Sequence, residues 1–307
     1  MKRETTWSGI GKDASKCKNM EQVLKASGLD YEVEKRPVFM NAGPVDMTEA
    51  ISTIPNRFVT VRTSDNHPYD VVSDKFEIIQ NRDAFDFVNY MGDELTFEKA
   101  GETANGMVYI IGKLPEVSIL GDAFTPHVIF RNGFSGKYKI TAAICPLRIV
   151  CQNQFNFAFK NTANSITVRH VQNAESKLEE ARETLKLSAD YMAELNSMAE
   201  HFAGIKMNKV QLERVAKFLF PIPEDTAINP FKRKNLEEQR TAFLAAHEQE
   251  DNRNFRGTAW GIINAYTDFL THKEPAGKRD DRYEGKFVTT TFKVAMNPVV
   301  DAIEAVS

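Results

Sequence analysis

Cysteine is scarce in this chain: Cys17, Cys145 and Cys151 are the only three among 307 residues. So few thiols cannot staple a fold together, and they suit a reducing compartment. Cys145 and Cys151 stand six apart, too far for a CxxC knuckle, and read as buried thiols in strands. Long apolar runs are missing as well. None approaches the roughly 18 residues of a membrane span, and the start, Met1-Lys-Arg-Glu4, leads into no apolar segment of the kind a signal peptide needs. A soluble cytoplasmic protein without membrane contact is expected. The third absence is an excess of one charge. The 39 lysines and arginines nearly balance 42 aspartates and glutamates, for a net charge of −3. Nothing draws the whole molecule to a polyanion, so such a contact must come from local clustering.

Signatures of chemistry are also lacking. There is no GxxxxGK[ST] loop, no strand-linked GxGxxG and no GxSxG elbow. His67, His127, His170, His201, His247 and His272 never stand four apart around a glutamate, as a zinc helix requires. An enzyme using His170 and Cys151 would have no acid or base partner nearby in sequence. No metal, nucleotide cofactor or catalytic residue is expected.

What the chain does have is concentrated in its middle. Pro146-Leu-Arg-Ile-Val-Cys-Gln-Asn-Gln-Phe-Asn-Phe-Ala-Phe159 and Ile166-Thr-Val-Arg-His170 combine strand formers, cations and aromatic rings. Before them, period-two stretches alternate with Gly, Pro and Asn turns. Phe58–Arg62 and Tyr69–Ser73 read as a hairpin, Phe76–Gln80 as a further strand, and Asn81 as the cap of a short helix. Met107–Ile111, Val117–Leu120, His127–Phe130 and Lys137–Thr141 follow as strands. Few helical crossovers separate them, so the sheet is expected to be mainly antiparallel. Lys12, Lys16 and Lys18 read as a mobile basic leader.

After His170 the texture is helical. Helices are expected over 174–187, 191–202, 208–220, about 231–248 and 258–270, the third with an apolar stripe of Val210, Leu212, Val215, Phe218 and Leu219. The end reads as a linker, a strand over 287–294 and a short tail helix. The expected fold class is α+β, with 1–56 as leader and short elements, 57–170 as a β-rich core, 171–275 as a helical half packed on it, and 276–307 as linker, strand and tail.

A basic groove with stacking faces is the usual holder of single-stranded nucleic acid. Arg148, Arg169, Lys137 and Lys139 lie on or beside the expected central strands, with Phe155 and Phe157 close behind. In an extended segment Phe155, Phe157 and Phe159 share one face, and in a helix only Phe155 and Phe159 do. Core packing of these rings is the plainer alternative. Lys232–Lys234, Arg253, Arg256 and Lys278–Arg279 supply further cations.

Three ordered motifs, Arg148–Asn153, Val168–His170 and Gly257-Thr-Ala-Trp-Gly-Ile-Ile-Asn-Ala-Tyr-Thr-Asp268 closed by His272, resemble the phage/plasmid-like family built on domain of unknown function 932. Tyr69–Ser73 and Ile79–Phe85 also fit, so the likeness spans about residues 57 to 272. It implies a phage, prophage or plasmid setting in a bacterial host and no established activity. A more remote likeness, to single-strand annealing proteins of the Rad52 and RecT type, implies homo-oligomers that hold DNA on sheet-borne cations. Together these lead to an expected single-stranded DNA-binding protein that anneals complementary strands during recombination. Arg148, Arg169, Lys137 and Lys139 would meet phosphates and Phe155 and Phe157 the bases. Asn153, His170, Asn264 and His272 would position the motifs, by hydrogen bonds between sheet and last helix, and Trp260 would pack there. The alternative is a phage interaction protein that inhibits a host defence or replication factor.

Overall fold

The computed structural model describes residues 10–41, 43, 51–148, 153–154, 163–168, 174–223, 229–273 and 297–307. In chain order the elements are β1 (Lys12–Asp13), α1 (Met20–Ser27), β2 (Val33–Asn41), β3 (Ile51–Arg62), β4 (His67–Ser73) and α2 (Asn81–Phe85). A 3₁₀ segment, Asp86–Glu94, leads into β5 (Thr96–Glu102), β6 (Met107–Lys113), β7 (Val117–Ile119), β8 (Asp122–Gly133), β9 (Thr141–Arg148), β10 (Asn153–Gln154) and β11 (Ser165–Thr167). The helical half holds α3 (Ala174–Gly204), α4 (Lys209–Leu219), α5 (Pro230–His247), a 3₁₀ turn (Glu250–Phe255), α6 (Ala259–Asp268), a π turn (Phe269–Lys273) and α7 (Asn297–Glu304). The fold is α+β, with strands first and helices after.

The main sheet runs β1-β5-β6-β8-β9-β10, with β7 on β8 and β11 on β9, and every pairing is antiparallel. Its central strands read as continuous apolar runs, such as Met107-Val-Tyr-Ile-Ile111, because both faces are covered. One face, with Val108, Ile110, Val128, Phe130, Ala142 and Ile144, packs on α1, the 3₁₀ segment and α3. On the other face Met107, Tyr109, Ile111 and Ile129 cluster with Ile10.

A second sheet, β2-β3-β4, contains the expected hairpin. Thr60 Oγ1 donates to the Phe134 carbonyl at 2.7 Å. Arg62 pairs with Glu102 at 2.9 Å and lies over the Tyr31 ring, 4.9 Å from its centre. These contacts fix the small sheet to the large one. β3 also runs across residue 57, so the expected boundary there falls inside a strand.

Four expectations change. Phe76–Gln80 is no strand: Gln80 ties this segment to Val33 by two side-chain bonds, and Asn132 Nδ2 donates to the Ile79 carbonyl. Side-chain amides thus do the work of a ladder. Asn81 does not cap α2. It lies inside that helix, buried, donating to the Leu29 carbonyl. Lys12 is in β1, paired with β5, and so belongs to no mobile leader. The helices expected over 174–187 and 191–202 are one helix of 31 residues, about 46 Å long. No Gly or Pro interrupts Ser188-Ala-Asp190, and Ser188 is itself buried. α3 gives Ala181 and Tyr191 to the sheet-side core and Leu195, Ala199 and Phe202 to the helical core.

Candidate functional site

At the junction of sheet and helices lies α6, whose ten residues are all buried. A helix buried all round belongs at the centre of a core. Gly257 enters it at φ 77, where a side chain would be strained, and Thr258 caps it by accepting from Gly261 N at 3.1 Å. Trp260 is sealed among apolar side chains, as expected. Asn264 is just as buried, but its amide donates to Trp260 O in its own helix at 2.8 Å, and among the described residues its Oδ1 has no hydrogen-bond partner and makes no bond to the sheet.

Arg148 makes that link instead. Its Nε donates to Asp122 Oδ2 at 2.8 Å, its Nη2 donates to the Asp251 carbonyl at 2.8 Å, and its guanidinium lies over Phe255. With 3 % of its side chain exposed, Arg148 cannot meet a phosphate. The expected phosphate contact is a structural ion pair, because β9 ends under the 3₁₀ turn that precedes α6. β10, with Asn153, also packs against α6 and the π turn. His272 falls in that turn, while the side chains of His272 and Asn153 lie outside the described residues. So do Arg169, His170, Phe155 and Phe157.

Lys137 and Lys139 are exposed, but they sit in the connection before β9 and not on a strand. Around them Ser135 and Ile140 are buried, so this is a packed hairpin loop and no open cradle.

A buried group that the sequence did not disclose sits on β8. His127 has Nδ1 3.0 Å from Thr125 O and Nε2 3.0 Å from Glu98 Oε2. Burial is the largest influence on the Glu98 carboxyl and pushes it up, but the His127 hydrogen bond and the charges of His127, Lys113 and Lys99 together outweigh it and hold the group below the usual range. Cys145 stands directly across the strand pair from His127. Burial pushes its thiol up to about 12, and both His127 nitrogens already face oxygens. A thiolate nucleophile needs the opposite arrangement.

Exposed cations and rings gather on the helical half. In α4, Leu212, Val215 and Ala216 face the core. Val210 and Phe218, expected in that stripe, are instead 59 % and 52 % exposed, on the side that also carries Arg214 and Lys217. The turn of 100° per residue sets 212, 215, 216 and 219 against 210, 214, 217 and 218. The first turn of α5 adds Phe231, 85 % exposed, with Lys232 and Lys234. Arg214, Lys217 and Lys232 form no ion pair among the described residues. Arg240 Nε and Arg233 Nη2 donate to the carbonyls of Phe220 and Pro223, laying the end of α4 and the segment after it along α5.

The family model described as domain of unknown function (DUF932) matches residues 68–291, most of the chain. The chain belongs to this family. The DUF932 match begins at Pro68 in β4, so α1 and β1 to β3 precede it. No curated protein and no solved structure matches. Among the described residues no helix is long and apolar enough to cross a membrane, and no group of three His, Cys, Asp or Glu residues is placed to hold a metal ion.

Proposed function

We propose that this DUF932 chain is a phage- or plasmid-type protein that binds single-stranded DNA on the outer face of α4 and the first turn of α5. The supporting observation is the exposure of Phe218 and Phe231 beside Arg214, Lys217 and Lys232, which form no ion pair among the described residues. Lys206 to Arg240 carries eight lysines and arginines against five acids, in a chain of net charge −3. Exposing a phenylalanine loses about 1.5–3 kcal/mol of burial, and ring faces beside cations are what a strand of stacked bases uses. The contact thus moves from the sheet, where Arg148 is sealed, to the helices. Annealing of complementary strands is the wider activity proposed.

The test is binding of a labelled oligonucleotide across a salt series. Arg214→Glu, Lys217→Glu and Lys232→Glu together are expected to weaken it more than tenfold at low salt. They should also flatten the dependence of log affinity on log salt by about 0.7 per lost contact. Phe218→Ala with Phe231→Ala removes about 1–3 kcal/mol per stacked base at any salt. Lys137→Glu with Lys139→Glu serves as the comparison. An oligonucleotide that ignores the chain at low salt ends this reading.

One feature favours the alternative, a protein that inhibits a host defence or replication factor. Beyond the bulge after Pro37, the β2–β3 ribbon exposes Phe39, Met40 and Ile51 by 59 %, 50 % and 64 %. Phe39 and Met40 point to opposite faces, so the ribbon is apolar on both. Pro37 and Pro68 each remove one backbone donor from the two edge strands. A photocrosslinker at position 39 in host cells is expected to capture one discrete protein, with capture lost in Ile51→Ser. No adduct, or one indifferent to Ile51, argues against it.

A further inference from the structure

Where α4 begins, α5 ends and α6 is entered, a cleft of about 470 Å³ opens, well within the size of small-molecule sites. Leu212, Leu244 and Ile262 form its apolar side. His247 borders it from the last turn of α5 and is 7 % exposed. Its Nδ1 lies 2.9 Å from Glu248 Oε1. A carboxylate only accepts, so Nδ1 carries the hydrogen, and in the neutral ring Nε2 keeps a lone pair. Among the described residues nothing donates to Nε2, and it is not one of the polar atoms sealed from solvent. It therefore opens on the cleft that the ring borders. A deeply set histidine, oriented on one side and bare on the other, suits a molecule that brings its own donor.

The charged side chains at the rim decide the sign of that donor. Glu213 and Glu248 line the cleft against one cation, Lys209. Glu213 forms no ion pair among the described residues, while Glu248 accepts from His247 and has Arg256 3.9 Å away. Both acids are exposed, so water screens them and each contributes modestly. The end of α5 and the start of α4 meet here, and their opposite dipole ends offset each other. The capping box of α4 also occupies the amides of Asn208 and Gln211. The bare acceptor and the excess of carboxylates agree: the ligand donates, and a positive charge suits it better than a negative one.

We infer that this cleft binds a small organic ammonium ion with an apolar body. The ammonium group donates to His247 Nε2 with Glu213 and Glu248 nearby, and the body covers Leu212, Leu244 and Ile262. This site lies apart from the outer face of α4 and does not depend on DNA binding there.

The probe is naphthylethylamine, protonated at neutral pH, with naphthylethanol as the neutral donor and naphthylpropionate as the anion of like shape. Titrated calorimetrically into the full chain, the amine is expected to saturate at one site, the alcohol to bind more weakly and the carboxylate more weakly still. His247→Phe keeps a ring but removes the acceptor, and should weaken the amine about tenfold, the loss of one charge-assisted hydrogen bond. Glu213→Gln should weaken the amine about threefold and leave the alcohol unchanged, while Lys209→Met should tighten the amine by a similar factor, as exposed charges do. Glu213 and Lys209 are exposed, so they keep the test decisive even where His247→Phe disturbs packing, as circular dichroism would show. Phe218→Ala with Phe231→Ala should leave the amine unaffected. An amine that does not bind, that binds no better than the carboxylate, that ignores Glu213→Gln, or that leaves with the two phenylalanines overturns the inference. Oligonucleotide binding, measured on the same samples, fails or succeeds independently.

Discussion

Arg148→Ala is expected to destabilise the chain by about 3–5 kcal/mol, the cost of breaking a buried ion pair by removing one partner. The change strands Asp122, leaves the Asp251 carbonyl without its guanidinium donor and opens a void beside Phe255. Chemical denaturation checks this as a fall in midpoint with little change in slope. Asp122→Asn should cost less, because that side chain is 21 % exposed and water can serve it. A near-neutral Arg148→Ala would mean the pair carries no weight. The expected loss of about 3–5 kcal/mol makes Arg148 unsuitable as a probe of DNA binding, since the sheet-to-helix joint would fail first.

The second large effect falls on Gly261. A Cβ there would lie 2.1 Å from Phe255 O and 2.7 Å from Phe255 C, both backbone atoms. That carbonyl is held by Thr258 N and Thr258 Oγ1, and Gly261 O in turn accepts from Asn252 Nδ2. Neither side can retreat cheaply. Gly261→Ala is expected to cost about 3 kcal/mol, the upper end for overpacking, despite the better helix propensity of alanine. Gly136→Ala, with nothing within 4 Å of its new methyl, should be close to neutral. Equal midpoints for the two variants would show that α6 and the turn before it adjust freely.

Arg148 and Gly261 show what could be read from the sequence and what could not. The hairpin, the antiparallel sheet and the succession of helices follow from local pattern. Period two, turn residues and apolar stripes need no knowledge of distant partners. Arg148 departs from its expected role because its partners lie 26 residues back at Asp122 and 103 residues on at Asp251. A cation in an apolar strand looks the same whether it faces a ligand or a carboxylate. The His127–Glu98 pair was invisible for the same reason, being made by strand register. The exposed side of α4 is legible in the spacing of Val210, Arg214, Lys217 and Phe218 on one face, which separates two of the apolar residues from the buried stripe. Residues 76–80 failed differently, since amides at Gln80 and Asn132 replaced the ladder that the alternation suggested.

The long helix α3 has a consequence for how the chain can be divided. The change from strand to helix near residue 170 looks like a seam between two modules. Yet one continuous rod supplies a wall to each interior, so neither half closes over its own apolar side chains without it. A cut placed anywhere along α3 would deprive one side of its lining. The shift in texture is a change of building material between two cores that share one helix.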